Sequence, residues 1–376
     1  MGKILLTATN AMIFHFLVPH VEKLIEMGHQ VDFASTNLEG YDDLLRSRIS
    51  KLPVNLTYIH LERSPFKLSN YKGVADLKRI ITKGNYDLIW TNEPVMSIAT
   101  RLAACKVRKK GTKVVYMVHG FHFFDGSSKS SWGIYYPIER LMANFADYLI
   151  TINKEDFIRG KTFGFKEVFY IHGVGLDTGR FRNATVNKIE KRKEIGVPQD
   201  AILLFSVGEL GVRKNHEVVV RALGKLHDKN IHYAICGEGI LEDYLKNLCK
   251  ELDIADNVHF LGYHRDIPEI CKSSDIYVFP SQREGLGISA LEGMASGLPL
   301  VSSYINGIRD YTEEGVTGYT LQPYDVEGYA KAIRFLADNP KVRKMFGTYN
   351  MKSVQVFDIC NTTKEISKIF NEILLK

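Results

Sequence analysis

Along this chain, short runs rich in β-branched and aromatic residues alternate with amphipathic stretches of helical period, and the alternation is run through twice. A strand separated from the next by a helix pairs with it in parallel, so the pattern predicts parallel sheets with crossover helices. In the first half the expected strands are "KILLTA", "QVDFAS", "LTYIHL", "YDLIWT", "KVVYMV", "YLITI" and "VFYIH". Residues 183–200, "NATVNKIEKRKEIGVPQD", are polar and charged and end in a proline turn, as a connection between domains would. The pattern then restarts with "ILLFSV", "IHYAIC", "NVHFLG", "DIYVFP" and "LPLVSS". The fold expected is α/β, with two doubly wound Rossmann-like domains. The first spans 1–183, a linker 184–200, and the second 201–358. A last helix over 359–376 opens on a capping box at Thr362 and Glu365. A length of 376 residues agrees with two cores rather than one. Ligands of such sheets sit at the carboxyl ends of the strands.

Composition excludes several classes. Apolar residues at 45% and charged residues at 24% describe a globular chain, and no apolar run is long enough for a bilayer helix. The N-terminal "MGKILLTATNAMIFHFLVPH" has one lysine in front and no small-residue cleavage site, so a buried strand and loop are expected there rather than a signal peptide. Cys105, Cys236, Cys249, Cys271 and Cys360 are scattered, with no C-x-x-C pair, which points away from disulfides and zinc and toward a reducing cytoplasm. The net charge of +6 is uneven: residues 1–185 carry 25 Lys+Arg against 17 Asp+Glu, leaving the rest slightly acidic. Either this is an ordinary solvated surface or the first half faces something anionic, such as a membrane.

The stretch "PSQREGLGISALEGMASGLP", 280–299, sets Glu284 and Glu292 around a helix start. "DIYVFP" is the strand, "SQREG" the loop at its carboxyl end, and "LGISALEGMAS" the following helix, stopped by Gly297 and Pro299. Amides of Gly285, Leu286 and Gly287 would face out of the loop, where the helix dipole favours a phosphate. Glu284 could accept hydrogen bonds from sugar hydroxyls and Glu292 from a ribose. Each glutamate alone also fits a plainer reading, as a helix-start acid or part of a solvated face.

In context, "PSQREGLGISALEGMASGLPLVSS" with "EEGVTGYTLQPYDVEGYAKAI" resembles the C-terminal signature of family-4 retaining glycosyltransferases. That signature has two glutamates separated by seven residues and then a G-x-x-G-x-L-x-P segment. "SVGELGVRKNHEVVVRAL", "CGEGILEDYLKNL" and "VHFLGYHRDIPEICKSSDIYVFPS" fill the preceding interval as that family does, while "HGFHFFDG", "YYPIERLMANFADYLITINKEDF" and "IHGVGLDTGRF" resemble its bacterial exopolysaccharide and capsule branch.

The resemblance implies a GT-B fold, with two Rossmann-like domains facing across a cleft, a nucleotide-sugar in the second and an acceptor on the first. The final helix would return to the first domain. It implies that Glu284 holds the donor sugar, that Gly285, Leu286 and Gly287 supply amides, that Glu292 binds the ribose and that Lys214 neutralises the diphosphate. Glu209 stands where the family has an arginine, and Arg213 is the candidate replacement. Tyr263 and His264 fall where the base pocket is built. His119, after "KVVYMV", corresponds to the histidine that touches the donor sugar near the reacting carbon. His122 follows three residues later, but no third ligand is in view, and metal-independent catalysis without a cofactor is expected. The family's first-domain glycine loop is absent, with Asn10 and Ala11 in its place.

The expected reaction is retaining transfer of a hexosyl or N-acetylhexosaminyl group from a UDP-sugar to a polyprenyl-diphosphate-linked saccharide. Aromatic and basic residues interleave in "SPFKLSNYKGVADLKRIITK" and "HGFHFFDGSSKSSWGIYYPIER", and Lys106, Arg108, Lys109, Lys110 and Lys113 cluster. Core packing and solvation explain such residues singly. Together they suit a peripheral enzyme at the anionic inner face of the plasma membrane, with no nucleic-acid partner. The rivals are a sugar-nucleotide epimerase of the same fold, a non-catalytic sugar-binding module and a Rossmann dehydrogenase, the last disfavoured because no G-x-G-x-x-G follows the first strand.

Overall fold

The structure, a computed structural model, describes residues 1–9, 11–36, 43–62, 64, 67 and 69–376. Asn10 of the missing glycine loop, and Pro65, Phe66 and Leu68 of the first aromatic-basic stretch, lie outside the described residues. The chain forms two compact units, Met1–Gly175 with Ile359–Lys376, and Leu176–Asp358.

The first unit is built from β1 (Lys3–Ala8), α1 (Ala11–Glu26), β2 (Gln30–Ser35), α2 (Asp43–Ser50), β3 (Leu56–Tyr58), α3 (Ser69–Gly84), β4 (Leu88–Asn92), α4 (Pro94–Arg108), β5 (Lys113–Val118), α5 (Lys129–Met142), β6 (Tyr148–Thr151), α6 (Lys154–Gly160) and β7 (Glu167–Tyr170). Its strands pair in parallel in the order β3-β2-β1-β4-β5-β6-β7. The inner strands β1, β4 and β5 are buried on both faces, as their near-continuous apolar runs require, while the edge strands β3 and β7 are only half-buried.

The second unit runs through α7 (Thr178–Arg182), α8 (Lys188–Glu194), β8 (Ile202–Val207), α9 (His216–Leu226), β9 (Ile231–Cys236), α10 (Glu242–Glu251), β10 (Val258–Gly262), α11 (Ile267–Ser273), β11 (Ile276–Phe279), α12 (Ile288–Ala295), β12 (Leu300–Ser303), β13 (Gly318–Leu321), α13 (Val326–Asp338) and α14 (Pro340–Ser353). The order β10-β9-β8-β11-β12-β13 is again all parallel. Both sheets reverse direction once, between β1 and β4 and between β8 and β11. The loops that leave those strand pairs diverge there and leave room for a ligand.

Three expectations change. Residues 184–200 are not a loose linker, because α8 lies inside the second unit and Arg192 is buried there. Its guanidinium donates to the carbonyls of Ser273, Gln199 and Ala201 at 3.0, 2.8 and 2.7 Å and pairs with Asp275 at 2.6 Å, so the change of unit falls at 175/176, not at 183. The strand β13 was not expected, since "GYTL" is short, opens on a glycine and lacks an apolar run. Finally, the last helix, α15 (Ile359–Leu375), starts before Thr362, so no capping box forms. Thr362 bonds back to the Ile359 carbonyl, and Glu365 instead accepts from the His172 amide at 2.9 Å and pairs with its Nδ1 at 2.7 Å. In the first unit α15 packs on α1, and Phe370 meets Trp90 edge-on at 5.0 Å.

Candidate functional site

At the reversal point of the second sheet, the loop after β8 carries Arg213 and Lys214 and the loop after β11 carries Glu284 to Gly287. Register pairs Tyr277 with Phe205, so the two loops leave the same edge side by side. The first loop ends in a single 3-10 turn, Val212–Lys214, followed by Asn215 in the left-handed region at φ 56°. Asn215 is held there because its Nδ2 donates to the carbonyls of Pro280 and Pro323 at 3.0 and 2.6 Å. Gly208 leaves room for the lysine stem, since a Cβ there would stand 2.9 Å from Lys214 Cδ.

Lys214 Nζ and Arg213 Nη1 both donate to Glu284 Oε1, each at 2.7 Å. The lysine also lies 4.9 Å from the Phe279 ring centroid. Lys214 and Glu284 are mostly buried, whereas Arg213 is 41% exposed. Two cations converge on one carboxylate oxygen. Glu209 is exposed and joins neither ion pair.

The second loop is fixed from below. Tyr311 Oη donates to the Leu286 carbonyl at 2.9 Å, and the buried Leu286 side chain anchors the turn. Gly287, the residue before α12, sits at φ +85°, where a Cβ would also stand 2.6 Å from the Phe279 ring and 3.0 Å from the Tyr311 hydroxyl. With the Leu286 carbonyl tied inward, the N–H groups of Leu286 and Gly287 make no hydrogen bond among the described residues. Unpaired amides at a helix start, next to a lysine, form an anion site.

Glu292 lies in the second turn of α12. Its carboxylate makes no hydrogen bond or ion pair among the described residues. Burial pushes it up to about 7, against the partial opposing effect of Arg180 and Lys214. An unpartnered carboxylate in such surroundings is incomplete without a donor. Arg180, on α7, was not anticipated, because nothing in the sequence brings residue 180 to α12. Its Nη2 donates to the Arg265 carbonyl at 3.1 Å. Tyr311 was likewise missed, as a lone tyrosine carries no motif.

Tyr263 and His264 take no part in the hydrogen bonds and ion pairs around Lys214 and Glu284. Tyr263 is 71% exposed, and His264 Nδ1 is tied to Asp266 at 2.8 Å. Lys191 and His264 hold Asp266 at about 2 despite partial burial. They follow β10, two strands from β8.

In the first unit, His119 follows β5, and its Nε2 stands 3.0 Å from Asn92 Oδ1. Asn92 Nδ2 donates to the Thr7 carbonyl, so Oδ1 faces the histidine as acceptor and Nε2 carries the proton. Burial first, and nearby His20 second, lower His119 to about 4, so the ring is neutral with Nδ1 as an acceptor. Glu93 beside it holds a positive φ of 61° before Pro94 and accepts from the Thr9 amide and hydroxyl at 2.5 and 2.7 Å. Backbone strain of this kind is retained at working sites, and "NEP" at a strand end was the available signal. His122 stacks obliquely on Tyr135 at 4.7 Å. Among the described residues no group of three or more His, Cys, Asp or Glu could hold a metal.

Comparison with known proteins places this geometry. Residues 187–353 match the family model of glycosyl transferases group 1, and residues 3–153 match a glycosyl transferase 4-like model. The chain is 33% identical to the putative glycosyltransferase EpsD of Bacillus subtilis over 98% of its own length and 96% of the relative's. It is 27% identical to an Escherichia coli UDP-Gal:alpha-D-GlcNAc-diphosphoundecaprenol alpha-1,3-galactosyltransferase, covering 82% and 81% of the two chains. The crystal structure of Anabaena HepE in complex with UDP superposes with a TM-score of 0.79 over 99% of this chain and all of that one, at 18% identity. A relative 33% identical over 98% of the chain, with a glycosyl transferase 4-like match in the first unit and a glycosyl transferases group 1 match in the second, makes this chain a glycosyltransferase with the GT-B type of fold.

Proposed function

We propose that the enzyme transfers a hexosyl or N-acetylhexosaminyl group, with retention of anomeric configuration, from a UDP-sugar to a polyprenyl-diphosphate-linked saccharide in surface polysaccharide assembly. The observation that carries this reading is the single edge of the second unit where Lys214, the unpaired Leu286 and Gly287 amides, Glu284 and Glu292 converge. The E. coli relative, named for a UDP-galactose donor and a diphosphoundecaprenol acceptor, supports the substrate classes.

In the proposed reaction the bond from the anomeric carbon to the diphosphate oxygen breaks as the acceptor oxygen bonds to that carbon on the same face. The acceptor proton passes to the departing phosphate oxygen. Lys214 and the α12 start stabilise the growing negative charge, Glu284 binds sugar hydroxyls, and Glu292 the ribose diol. His119 offers Nδ1 to a sugar hydroxyl. An epimerase would form product without an acceptor, and a binding module would form none. A thermal-shift screen of nucleotide-sugars, followed by a transfer assay on a lipid-linked saccharide, separates the three.

The site has a pH signature. A ribose diol donates to an ionised carboxylate, and Glu292 is held up to about 7, so protons compete with nucleotide. UDP affinity should rise between pH 6 and 8, and Glu292→Gln should flatten that rise relative to wild type in calorimetry. Identical pH profiles would remove Glu292 from the nucleotide. The same group works against folding as pH rises: a raised carboxylate pKa contributes stability below the unfolded value near 4.5 that is lost through about 7.

We also propose that no divalent metal is required. Hard cations need oxygen ligands beside the phosphates, and the two carboxylates of this edge, Glu284 and Glu292, are assigned to the sugar and the ribose, which leaves Lys214, Arg213 and amides to face the diphosphate. Transfer should therefore persist in EDTA. Activity that collapses under chelation and returns with Mn²⁺ would contradict this. Finally, the basic first half supports peripheral contact with the anionic inner face of the plasma membrane.

A further inference from the structure

The helix α5 is apolar on both faces. Its inner face carries Trp132, Tyr136 and Glu139, and Glu139 is buried against the fully buried Arg101, 3.1 Å away, and the Tyr116 hydroxyl. Its outer face carries Ile134, Ile138 and Leu141, at the i, i+4, i+7 spacing of one stripe, and these are 54%, 42% and 63% exposed. A surface helix normally turns its apolar stripe inward. Here a second apolar stripe faces out as well, and Leu102 on α4 adds a fourth apolar side chain, 42% exposed, one residue from the Arg101 that pairs with Glu139.

Exposed charge on α4 and α5 is of one sign, and Asp125 and Glu155, the acids near the start of α5, are paired with Arg159. The only acid in α4 or α5 is the buried Glu139. Lys106, Lys109 and Lys110 are exposed, and among the described residues none pairs with a carboxylate. They are held at the Leu141 end of the stripe, because Arg108 donates to the carbonyls of Asn144 and Ala146 at 2.6 and 2.9 Å, just past the end of α5. Arg140 stands exposed beside the stripe. An apolar band bordered by unpaired cations complements an interface where acyl chains lie under anionic headgroups. A protein partner would be expected to meet some of these lysines with acids, but a second copy brings only the same cations.

We propose that α5 lies in the surface of an anionic bilayer, inserting Ile134, Ile138 and Leu141 among the acyl chains while Lys106, Lys109 and Lys110 contact the headgroups. This rests on the peripheral-membrane reading above and assigns it a surface. The helix begins eleven residues after Val118, the end of β5, so the inserted stripe and the His119 loop belong to one continuous segment.

The test is cosedimentation of the full chain with vesicles of phosphatidylglycerol and phosphatidylethanolamine in equal parts, against phosphatidylcholine alone. Wild type should pellet with the anionic vesicles only. The variant carrying Ile134→Ser, Ile138→Ser and Leu141→Ser should bind about tenfold more weakly. Lys109→Glu with Lys110→Glu should bind more weakly still at low salt, with the difference shrinking as salt rises, since the Debye length is only about 8 Å at physiological ionic strength. Because the three replaced side chains face solvent, the melting temperature should not fall. As an independent readout, Ile138→Trp should be quenched by vesicles whose acyl chains are brominated, while Ile189→Trp on α8 should not. Binding by wild type with no effect of the serine variant and no quenching at 138 would overturn the α5 assignment and leave peripheral contact standing. No vesicle binding by wild type would overturn both. A wild-type dimer that the serine variant converts to monomer, without vesicle binding, would make the stripe a contact between copies and overturn the proposal.

Discussion

Lys214→Ala should lower kcat/KM for sugar transfer by roughly 10²–10³-fold, the loss seen when a pre-aimed group facing transition-state charge is removed. The lysine is aimed before any ligand arrives. Its stem passes Gly208, its turn is locked by Asn215, and its ammonium lies 4.9 Å from the Phe279 ring and 2.7 Å from Glu284. The same pairing predicts how the two residues differ. Glu284 occupies Lys214 in the free enzyme, so Glu284→Ala removes a competitor for the ammonium along with a partner for the sugar. It should leave UDP binding at or above the wild-type level while impairing turnover, whereas Lys214→Ala should weaken UDP itself. Charge-assisted hydrogen bonds of this kind contribute about 1.5–3 kcal/mol. Initial rates at varied donor, with calorimetric titration of UDP, separate the two variants. Equal UDP affinity in wild type and Lys214→Ala would take the lysine off the diphosphate.

The largest effect on stability should come from Glu139→Ala, with a loss of about 3–5 kcal/mol. Arg101 is fully buried. It stacks on Tyr116 at 4.4 Å, donates to the Ser97 carbonyl at 3.2 Å and to Glu139 at 3.1 Å, and its Nη1 has no hydrogen-bond partner among the described residues. Tyr116, whose pKa is raised well above the ordinary value by burial and then by the Glu139 charge, donates to the same carboxylate at 3.1 Å. Removing the glutamate leaves a guanidinium in the core with no counter-charge. Replacing both partners, Arg101→Met with Glu139→Leu, should recover most of the loss, because the remaining cost is packing rather than a stranded charge. Urea unfolding followed by a probe in the first unit measures this. A loss under about 1 kcal/mol for Glu139→Ala would mean that water reaches Arg101.

Legibility in the sequence followed the range of the interaction. The strands KILLTA, QVDFAS, KVVYMV, ILLFSV and IHYAIC match residue for residue, because a parallel strand buried on both faces announces itself by a largely apolar, β-branched and aromatic run. β13 was lost because four residues opening on glycine carry no such run. The linker was misread because polarity along 184–200 is what solvent exposure looks like in one dimension, while the ladder of carbonyls that buries Arg192 comes from residues 198–201 and 273. Thr362 and Glu365 have the spacing of a capping box, yet His172, far away in sequence, competes for the glutamate.

The candidate site divides the same way. Glu284, Gly287 and Glu292 are local to one loop and helix and could be picked from spacing, and Lys214 followed from resemblance. That Arg213 and Lys214 share one oxygen of Glu284 depends on β8 and β11 being neighbours across the reversal of the sheet, which only the topology supplies. Tyr263 and His264 show the converse. Both follow β10 as expected, but that His264 Nδ1 is hydrogen-bonded to Asp266 and that the Tyr263 side chain faces solvent could not be read from the residues alone.

We propose that the β8–β11 edge of the second unit holds the nucleotide diphosphate. Crystals of the enzyme soaked in UDP test it most directly. Density for the diphosphate should lie within hydrogen-bond reach of Lys214 Nζ and the Leu286 and Gly287 amides, with the ribose hydroxyls on Glu292. Nucleotide bound elsewhere, with Lys214 still paired to Glu284 and those two amides unoccupied, would contradict it.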